Sequence, residues 1–283
     1  MLLETIKKAN DIKKIPPEKF PELAEEIRAF LLEHVSRTGG HLASNLGAVE
    51  LTMALHYVFC LPEDKIIWDV GHQSYTHKIL TGRQEGFDTL RTFGGMSGFP
   101  KRSESPCDAY DTGHSSTSIS AGVGYVCARD LKGEDYSVVS VIGDGALTGG
   151  MAYEAINNAA SLKKNFMIVL NDNEMSISQN VGGISSYLSN MRTTEGYHEF
   201  KTGVKNSLNK IPGIGPAAIK QIHKTKDSIK RLMIPGMFFE DMGLTYLGPV
   251  DGHDCSRLVQ IFQEAKKVQG SVLIHVKTEK GRG

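Results

Sequence analysis

Short apolar stretches alternate with stretches of helical spacing along this chain, and that order predicts a layered α/β protein. The apolar stretches are rich in Val and Ile and lie at residues 65–70, 137–142, 166–170 and 271–276. Strands without polar alternation are typical of a parallel sheet that is covered on both faces. A helical segment at 150–162 separates the second stretch from the third, as in a strand–helix–strand unit. We therefore predict an α/β fold with a mostly parallel β-sheet flanked by helices.

Further helices are predicted on either side of the first strand. Apolar residues at helical spacing mark 21–35, a more uniformly apolar stretch marks 46–59, and a segment rich in Ser, Ala and Gly marks 115–129. The region 179–242 departs from this pattern, because it is polar, rich in Lys and repeatedly interrupted by Gly and Pro. We predict a mobile excursion there, within a single domain that covers residues 1–283.

Composition and charge narrow the class of protein. The chain has 283 residues, 40% of them hydrophobic, and 32 basic residues balance 32 acidic ones. Phosphate contacts dominate nucleic-acid binding, so the absence of a basic excess gives that function no support. The four cysteines form no CxxC pair, which disfavours disulfides and structural zinc. No apolar run is long enough for a membrane span, and the first residues are charged where a signal peptide is apolar. We expect a cytoplasmic protein.

Polar residues follow two of the predicted strands at the point where each strand ends. Asp144 lies between two glycines directly after the strand 137–142, and the turn Asn171–Asp172–Asn173 follows the strand 166–170. Ligands bind at the carboxyl ends of parallel strands, so we expect these residues to meet at one edge of the sheet. Carboxylate, amide and main-chain oxygens suit Mg²⁺, while glycines and a helix N-terminus admit a diphosphate. Each motif alone is usually a turn, but the pair at this separation resembles the thiamine diphosphate motif.

Longer exact stretches identify a family. They are GGHLASNLG at 39–47, WDVGHQ at 68–73, HKILTG at 77–82, GHSSTSIS at 113–120, GDG at 143–145, LNDNEMSIS at 170–178, GPVDGH at 248–253 and KTEKGRG at 277–283. Together they resemble the 1-deoxy-D-xylulose-5-phosphate synthases, relatives of the transketolases, over essentially the whole chain. The resemblance implies a thiamine diphosphate-binding fold, with thiamine diphosphate and Mg²⁺ as cofactors.

The resemblance also implies roles for particular residues. The implied Mg²⁺ ligands are Asp144, Asn173 and the main-chain carbonyl of Met175. The implied cofactor contacts are His72, Gly113, His114, Ser115, Gly145, Ala146, Asn173 and Lys280. The implied catalytic residues around the reacting carbon are His41, His72 and His114. Imidazole suits that place, since it exchanges protons near neutral pH and orients substrate oxygens.

The activity implied by the resemblance is the condensation of pyruvate with D-glyceraldehyde 3-phosphate with loss of CO₂, on the route to isoprenoids, thiamine and pyridoxal. Enzymes of this family are homodimers and are much longer than this chain. A second domain that binds the pyrimidine of the cofactor, and a C-terminal domain, have no counterpart here. The chain is therefore expected to be either a fragment or one subunit of a split enzyme, and to turn over negligibly alone.

Other functions remain open at this point. The chain fits the N-terminal subunit of a split transketolase, or a module that binds cofactor or DNA without catalysis. The segment 211–219 resembles the hairpin of helix-hairpin-helix DNA-binding modules and is followed by several basic residues, although one short match is weak support. A Gly-Val-Gly at 122–124 lacks the third glycine and the preceding strand of a dinucleotide-binding fingerprint.

Overall fold

The structure, a computed structural model, describes residues 1–175, 183–192 and 237–283. Within these ranges no helix combines the length and the apolar character that crossing a bilayer requires. The predicted mobile excursion at 179–242 lies mostly outside the described residues, and the predicted DNA-binding hairpin at 211–219 lies entirely outside them. Both stay predictions.

A parallel sheet forms the centre of the described structure. Its strands are β1 (Lys65–Trp68), β2 (Val138–Gly143), β3 (Phe166–Asp172), β4 (Thr245–Asp251) and β5 (Ser271–Lys277). Their order across the sheet is β1-β2-β3-β5-β4, and every neighbouring pair is parallel. The predicted fold class is confirmed, and each of the four predicted strands is present.

The helices in the described residues surround this sheet. They are α1 (Phe20–Thr38), α2 (Leu42–Leu46), α3 (Val49–Val58), α4 (Tyr75–Leu80), α5 (Ser118–Lys132), α6 (Asp144–Leu147), α7 (Gly150–Leu162), α8 (Gly183–Arg192), α9 (Met237–Asp241) and α10 (Cys255–Ala265). Short 3-10 turns lie at Leu3–Thr5, Asp11–Lys14, Pro17–Lys19 and Gln84–Thr89. Two predictions need correction. The predicted helix 46–59 is interrupted at Gly47–Ala48, and the helix predicted from residue 115 begins only at Ser118.

The sheet is buried on both faces, as its continuous apolar strands predict. Side chains alternate between two cores: Ile168 and Leu170 of β3 pack with α5 and α7, while Met167 and Val169 pack with α3 and α10. A third apolar cluster joins α1 to α3, α4 and the N-terminal turns. The carboxyl ends of β1, β2 and β3 therefore project from a rigid, fully packed layer.

Strand β4 was not predicted, and its sequence explains why. It contains Gly248 and Pro249, which are uncommon in strand interiors, and its register with β5 shifts between Leu247 and Val250. Proline removes a ladder hydrogen bond and is tolerated on edge strands. Because β4 lies at the edge of the sheet, beside β5, this interruption is accommodated there.

Candidate cofactor and metal site

The register of the central strands brings the two predicted polar motifs together. Gly143 of β2 lies opposite Asn171 of β3, so the next residues lie side by side: Asp144 at the start of α6 and Asp172 at the end of β3. The carboxylate of Asp144 accepts hydrogen bonds from the main-chain N–H groups of Gly145 and Asn173. The expectation that Asp144 meets the turn at 171–173 is confirmed.

Asp144 and Asp172 form a buried pair of carboxyl groups. They share a hydrogen bond, and the two residues are 2% and 1% exposed. Burial, followed by repulsion from Asp172, raises the pKa of Asp144 to about 7. Below about pH 7 the pair therefore holds a proton in the absence of a cation. A divalent cation can replace that proton, because it supplies the positive charge that two adjacent carboxylates need.

The other two predicted metal ligands, Asn173 and Met175, come just after Asp172 in the sequence. The side-chain oxygen of Asn173 accepts a hydrogen bond from the N–H of Met175 at 3.0 Å, which fixes the turn and leaves the oxygen a second lone pair. Met175 is 39% exposed, and the role of its carbonyl stays a prediction. No group of three or more His, Cys, Asp and Glu side chains within residues 1–175, 183–192 and 237–283 is placed to hold a metal. The predicted set of metal ligands contains a single carboxylate, so a Mg²⁺ ion there would need further oxygen ligands from a bound diphosphate.

A buried chain of hydrogen bonds supports Asp172 from the far side. Its carboxylate lies 2.8 Å from Nε2 of His275, and Nδ1 of His275 lies 2.8 Å from the hydroxyl of Tyr246. A carboxylate can only accept, so Nε2–H donates to Asp172 and Nδ1 accepts from Tyr246. Strands β4 and β5 thus orient a carboxyl group at the end of β3.

Two of the predicted histidines lie next to each other. The ring centroids of His41, before α2, and His72, after β1, are 5.4 Å apart. Burial, then the neighbouring His41 and the charge of Lys280, lowers the pKa of His72 to about 4. Burial, then Arg91, lowers the pKa of His41. Both imidazoles are neutral at pH 7, and the buried Nδ1 of each has no hydrogen-bond partner among the described residues.

Lys280 reaches His72 because the segment after β5 folds back over the site. The N–H of Thr278 donates to the carbonyl of Asp172 at 2.9 Å, and the N–H of Gly281 donates to the carbonyl of Ala43 at 2.8 Å. Main-chain hydrogen bonds therefore tie the segment to β3 on one side and to α2 on the other. This placement brings the charge of Lys280 near His72, and the contact of Lys280 with a diphosphate stays a prediction.

Side chains from distant parts of the sequence dock the same segment. The guanidinium of Arg28 contacts both carboxylate oxygens of Glu50 at 2.6 and 2.7 Å, and its Nε donates to the carbonyl of Arg282. His253 lies 3.1 Å from Glu50 through Nδ1 and accepts from the N–H of Glu279 through Nε2. Nδ1–H of His253 is therefore the donor to Glu50.

The loop that carries Gly113, His114 and Ser115 is exposed and is held at its base. The carboxylate of Asp69 accepts from the N–H groups of Ser116 and Ser118 at 2.7 and 3.0 Å. The hydroxyl of Ser116 donates to the carbonyl of Ala146 at 2.7 Å, so the loop lies against the turn that contains Gly145. Asp69 thereby places three predicted cofactor contacts beside α6, which begins at the predicted metal ligand Asp144.

His114 stands apart from the other two histidines. Its Nδ1 lies 3.0 Å from the carbonyl of Ser115, which makes Nδ1–H the donor of this hydrogen bond. Within residues 1–175, 183–192 and 237–283, the ring of His114 makes no hydrogen bond or ring contact with His41 or His72. The structure pairs two of the predicted catalytic residues and does not bring the third into contact with them.

Sequence reasoning missed Asp69, although a signal was available. Asp69 follows β1 directly, and the rule that singled out Asp144 applies equally to the end of that strand. Asp172 was recognised only as part of a turn. Its partnership with Asp144 depends on the register of β2 and β3, and its partnership with His275 on β5.

Comparison with known sequences decides the family. The sequence profile of 1-deoxy-D-xylulose-5-phosphate synthase matches residues 3–278. The chain belongs to the 1-deoxy-D-xylulose-5-phosphate synthase family. Synthases of that name from Lachnoclostridium phytofermentans and Caldanaerobacter subterraneus are 60% and 58% identical to it over 282 residues. The match covers 100% of this chain and 45% of each relative, so the chain spans about half the length of these family members.

Solved structures of transketolases are similar in fold to this chain. Transketolase from Campylobacter jejuni superposes with a TM-score of 0.67 at 20% identity, over 92% of this chain and 38% of that one. Transketolase from Leishmania mexicana gives a TM-score of 0.61 at 17% identity, over 93% and 37%. At these identities the likeness establishes the thiamine diphosphate-binding fold.

Proposed function

We propose that this chain is the part of a 1-deoxy-D-xylulose-5-phosphate synthase that binds the diphosphate and Mg²⁺. The family is a transketolase-type transferase family, and membership implies dependence on thiamine diphosphate. The buried pair Asp144–Asp172 carries the proposal, because two adjacent carboxyl groups at the carboxyl ends of neighbouring strands are a site prepared for a cation. We infer that Mg²⁺ binds Asp144, Asn173 and the carbonyl of Met175.

The groups around this pair fit a diphosphate. Gly145 and Ala146 lie in the turn next to Asp144, the exposed loop of Gly113 and Ser115 is held against that turn, and Lys280 brings a positive charge. Glycine has no side chain, so Gly113 and Gly145 allow close approach of phosphate oxygens to the main chain. The unpartnered Nδ1 atoms of His41 and His72 are further polar groups that a ligand would satisfy.

Bound thiamine diphosphate supplies a nucleophilic carbon that allows a 2-oxo acid to lose CO₂. The neutral rings of His41 and His72 are suited to accept a proton or to hydrogen-bond a substrate oxygen, because neither is charged at pH 7. His114 lies on an exposed loop, where its Nδ1–H donates to the carbonyl of Ser115. We propose these three histidines as the catalytic residues contributed by this chain, with His72 and His114 also contacting the cofactor.

The proposed reaction of the whole enzyme condenses pyruvate with D-glyceraldehyde 3-phosphate and releases CO₂, in the cytoplasm and as a homodimer. Residues 1–283 form one domain in this proposal, and a pyrimidine-binding domain in the same or a second chain completes the site. In this proposal, residues of both this chain and the pyrimidine-binding domain stabilise the developing carbanion. This chain alone is therefore expected to show negligible turnover.

A steady-state assay of product formation from both substrates tests the proposal. We expect no activity above background from this chain, and activity when the remaining part of a family member is added as a second polypeptide. Family-like rates from this chain alone would contradict it. Activity of the combined chains on a ketose phosphate but not on pyruvate would instead favour a split transketolase.

A further inference from the structure

Asn45 connects the two parts of the chain that carry His41 and His72. Its side chain is fully buried in α2. The amide nitrogen donates to the main-chain carbonyl of His41 at 2.7 Å and to that of His72 at 2.8 Å. The amide oxygen accepts from the N–H of Tyr75, the first residue of α4, at 2.8 Å. Both amide protons and the oxygen are therefore used.

These three bonds fix the relative position of segments that are far apart in sequence. His41 ends the connection between α1 and α2, whereas His72 belongs to the turn that leaves β1. Each imidazole is attached to a residue whose own carbonyl is bound by Asn45, so movement of either main chain would break a buried hydrogen bond. A buried polar group that loses its hydrogen bond is costly in free energy. Asn45 therefore favours this one arrangement of the two segments over others.

We propose that Asn45 is a positioning residue that holds His41 and His72 at the separation and burial that the site requires. The positioning follows from the geometry alone, whereas its importance for catalysis rests on the function proposed above. Asn45 acts through the two histidines and is not placed in contact with cofactor or substrate. Its loss should expose the histidine pair to water and separate the rings.

Asn10 provides a matched control. Its side chain also joins distant parts of the chain, since the amide donates to the carbonyl of Leu61 at 2.7 Å and the oxygen accepts from the N–H of Leu61 at 3.2 Å. This bridge joins an N-terminal turn to the loop after α3 and involves no histidine. A substitution there removes a comparable structural bridge and leaves the histidine pair in place.

The test is an NMR titration of histidine side chains in the 283-residue chain and in the variants Asn45→Ala, Asn45→Ser and Asn10→Ala. His72 is flanked by the titratable His41 and by Lys280, and neither is altered. In the wild type we expect the ring of His72 to stay neutral from about pH 5 to about pH 8. In both Asn45 variants we expect it to titrate within that range, because burial no longer protects it. In Asn10→Ala it should remain neutral.

An unchanged His72 in a folded Asn45 variant, matching Asn10→Ala, would overturn the proposal. The wild type gives a measurement that needs no variant: the side-chain amide protons of Asn45 should exchange at least about tenfold more slowly than those of the half-buried Asn10. Equal exchange would also overturn it. Neither measurement requires bound cofactor, so failure of the positioning role is distinguishable from failure of the proposed function.

Discussion

Replacing Asp144 with Asn should stabilise the cation-free chain above neutral pH while removing the proposed metal ligand. The substitution keeps the shape of the side chain, including an oxygen that can accept from the N–H groups of Gly145 and Asn173. Its amide can donate to Asp172, so the shared hydrogen bond survives without a shared proton. What disappears is the cost of ionising Asp144 beside Asp172.

The raised pKa sets the size and the pH range of this cost. Burial, followed by repulsion from Asp172, raises the pKa of Asp144 from 3.8 to about 7. Between these values the folded chain retains a proton that the unfolded chain has released, so stability falls as the pH rises through this window. At about 1.4 kcal/mol per unit, the penalty grows by roughly 2 to 3 kcal/mol between about pH 5 and about pH 8.

Urea denaturation of both chains in the presence of EDTA measures the effect. We expect the free energy of unfolding of Asp144→Asn, relative to wild type, to be greater by about 1 to 3 kcal/mol near pH 8 than near pH 5. Asp111→Asn is the control: hydrogen bonds from the main chain and the guanidinium of Arg102 lower the pKa of Asp111, so it is ionised at both pH values. Its effect should not change with pH. A pH-independent effect of Asp144→Asn, or a loss of stability near pH 8, would refute the reasoning.

Three other substitutions, one of them with a matched control, test the packing around the site, each by urea denaturation. Asp69→Ala leaves two buried N–H groups without an acceptor and should cost about 3 to 5 kcal/mol; a cost below about 1 would contradict its role. Gly122→Ala should destabilise, since a Cβ there would overlap the hydroxyl of Ser140 and the ring of Phe166. Its control, Gly124→Ala, meets no atom within 4 Å and should stabilise by about 0.5 to 1 kcal/mol. Arg28→Met leaves Glu50 without its guanidinium partner and should cost about 3 to 5 kcal/mol; an unchanged midpoint would argue against that ion pair.

The sequence was most informative where a local rule and the topology coincide. Strand–helix–strand units with apolar strands predict a parallel sheet, and the carboxyl ends of neighbouring strands then predict that Asp144 meets the turn at 171–173. Both expectations are confirmed. The close approach of α5 to the sheet at Gly122 gives the first glycine of the Gly-Val-Gly at 122–124 a packing role.

Contacts between distant residues could not be predicted in the same way. Asn45 and His72 are 27 residues apart, and His253 and Glu50 are 203 apart. Their pairing depends on which helices and loops pack together in the folded chain, and the spacing of apolar residues does not encode that packing. The edge strand β4 was missed for a different reason, because Gly248 and Pro249 mask its extended pattern.

The central claim is that this chain binds the diphosphate of thiamine diphosphate through a cation held at Asp144. Calorimetric titration of thiamine diphosphate into the chain in the presence of Mg²⁺ tests it most directly, beside Asp144→Ala and the control Asp111→Asn. We predict binding by the wild type and by Asp111→Asn that EDTA abolishes, and no binding by Asp144→Ala. A folded wild-type chain that binds no thiamine diphosphate, or binding that persists in Asp144→Ala, would contradict the claim.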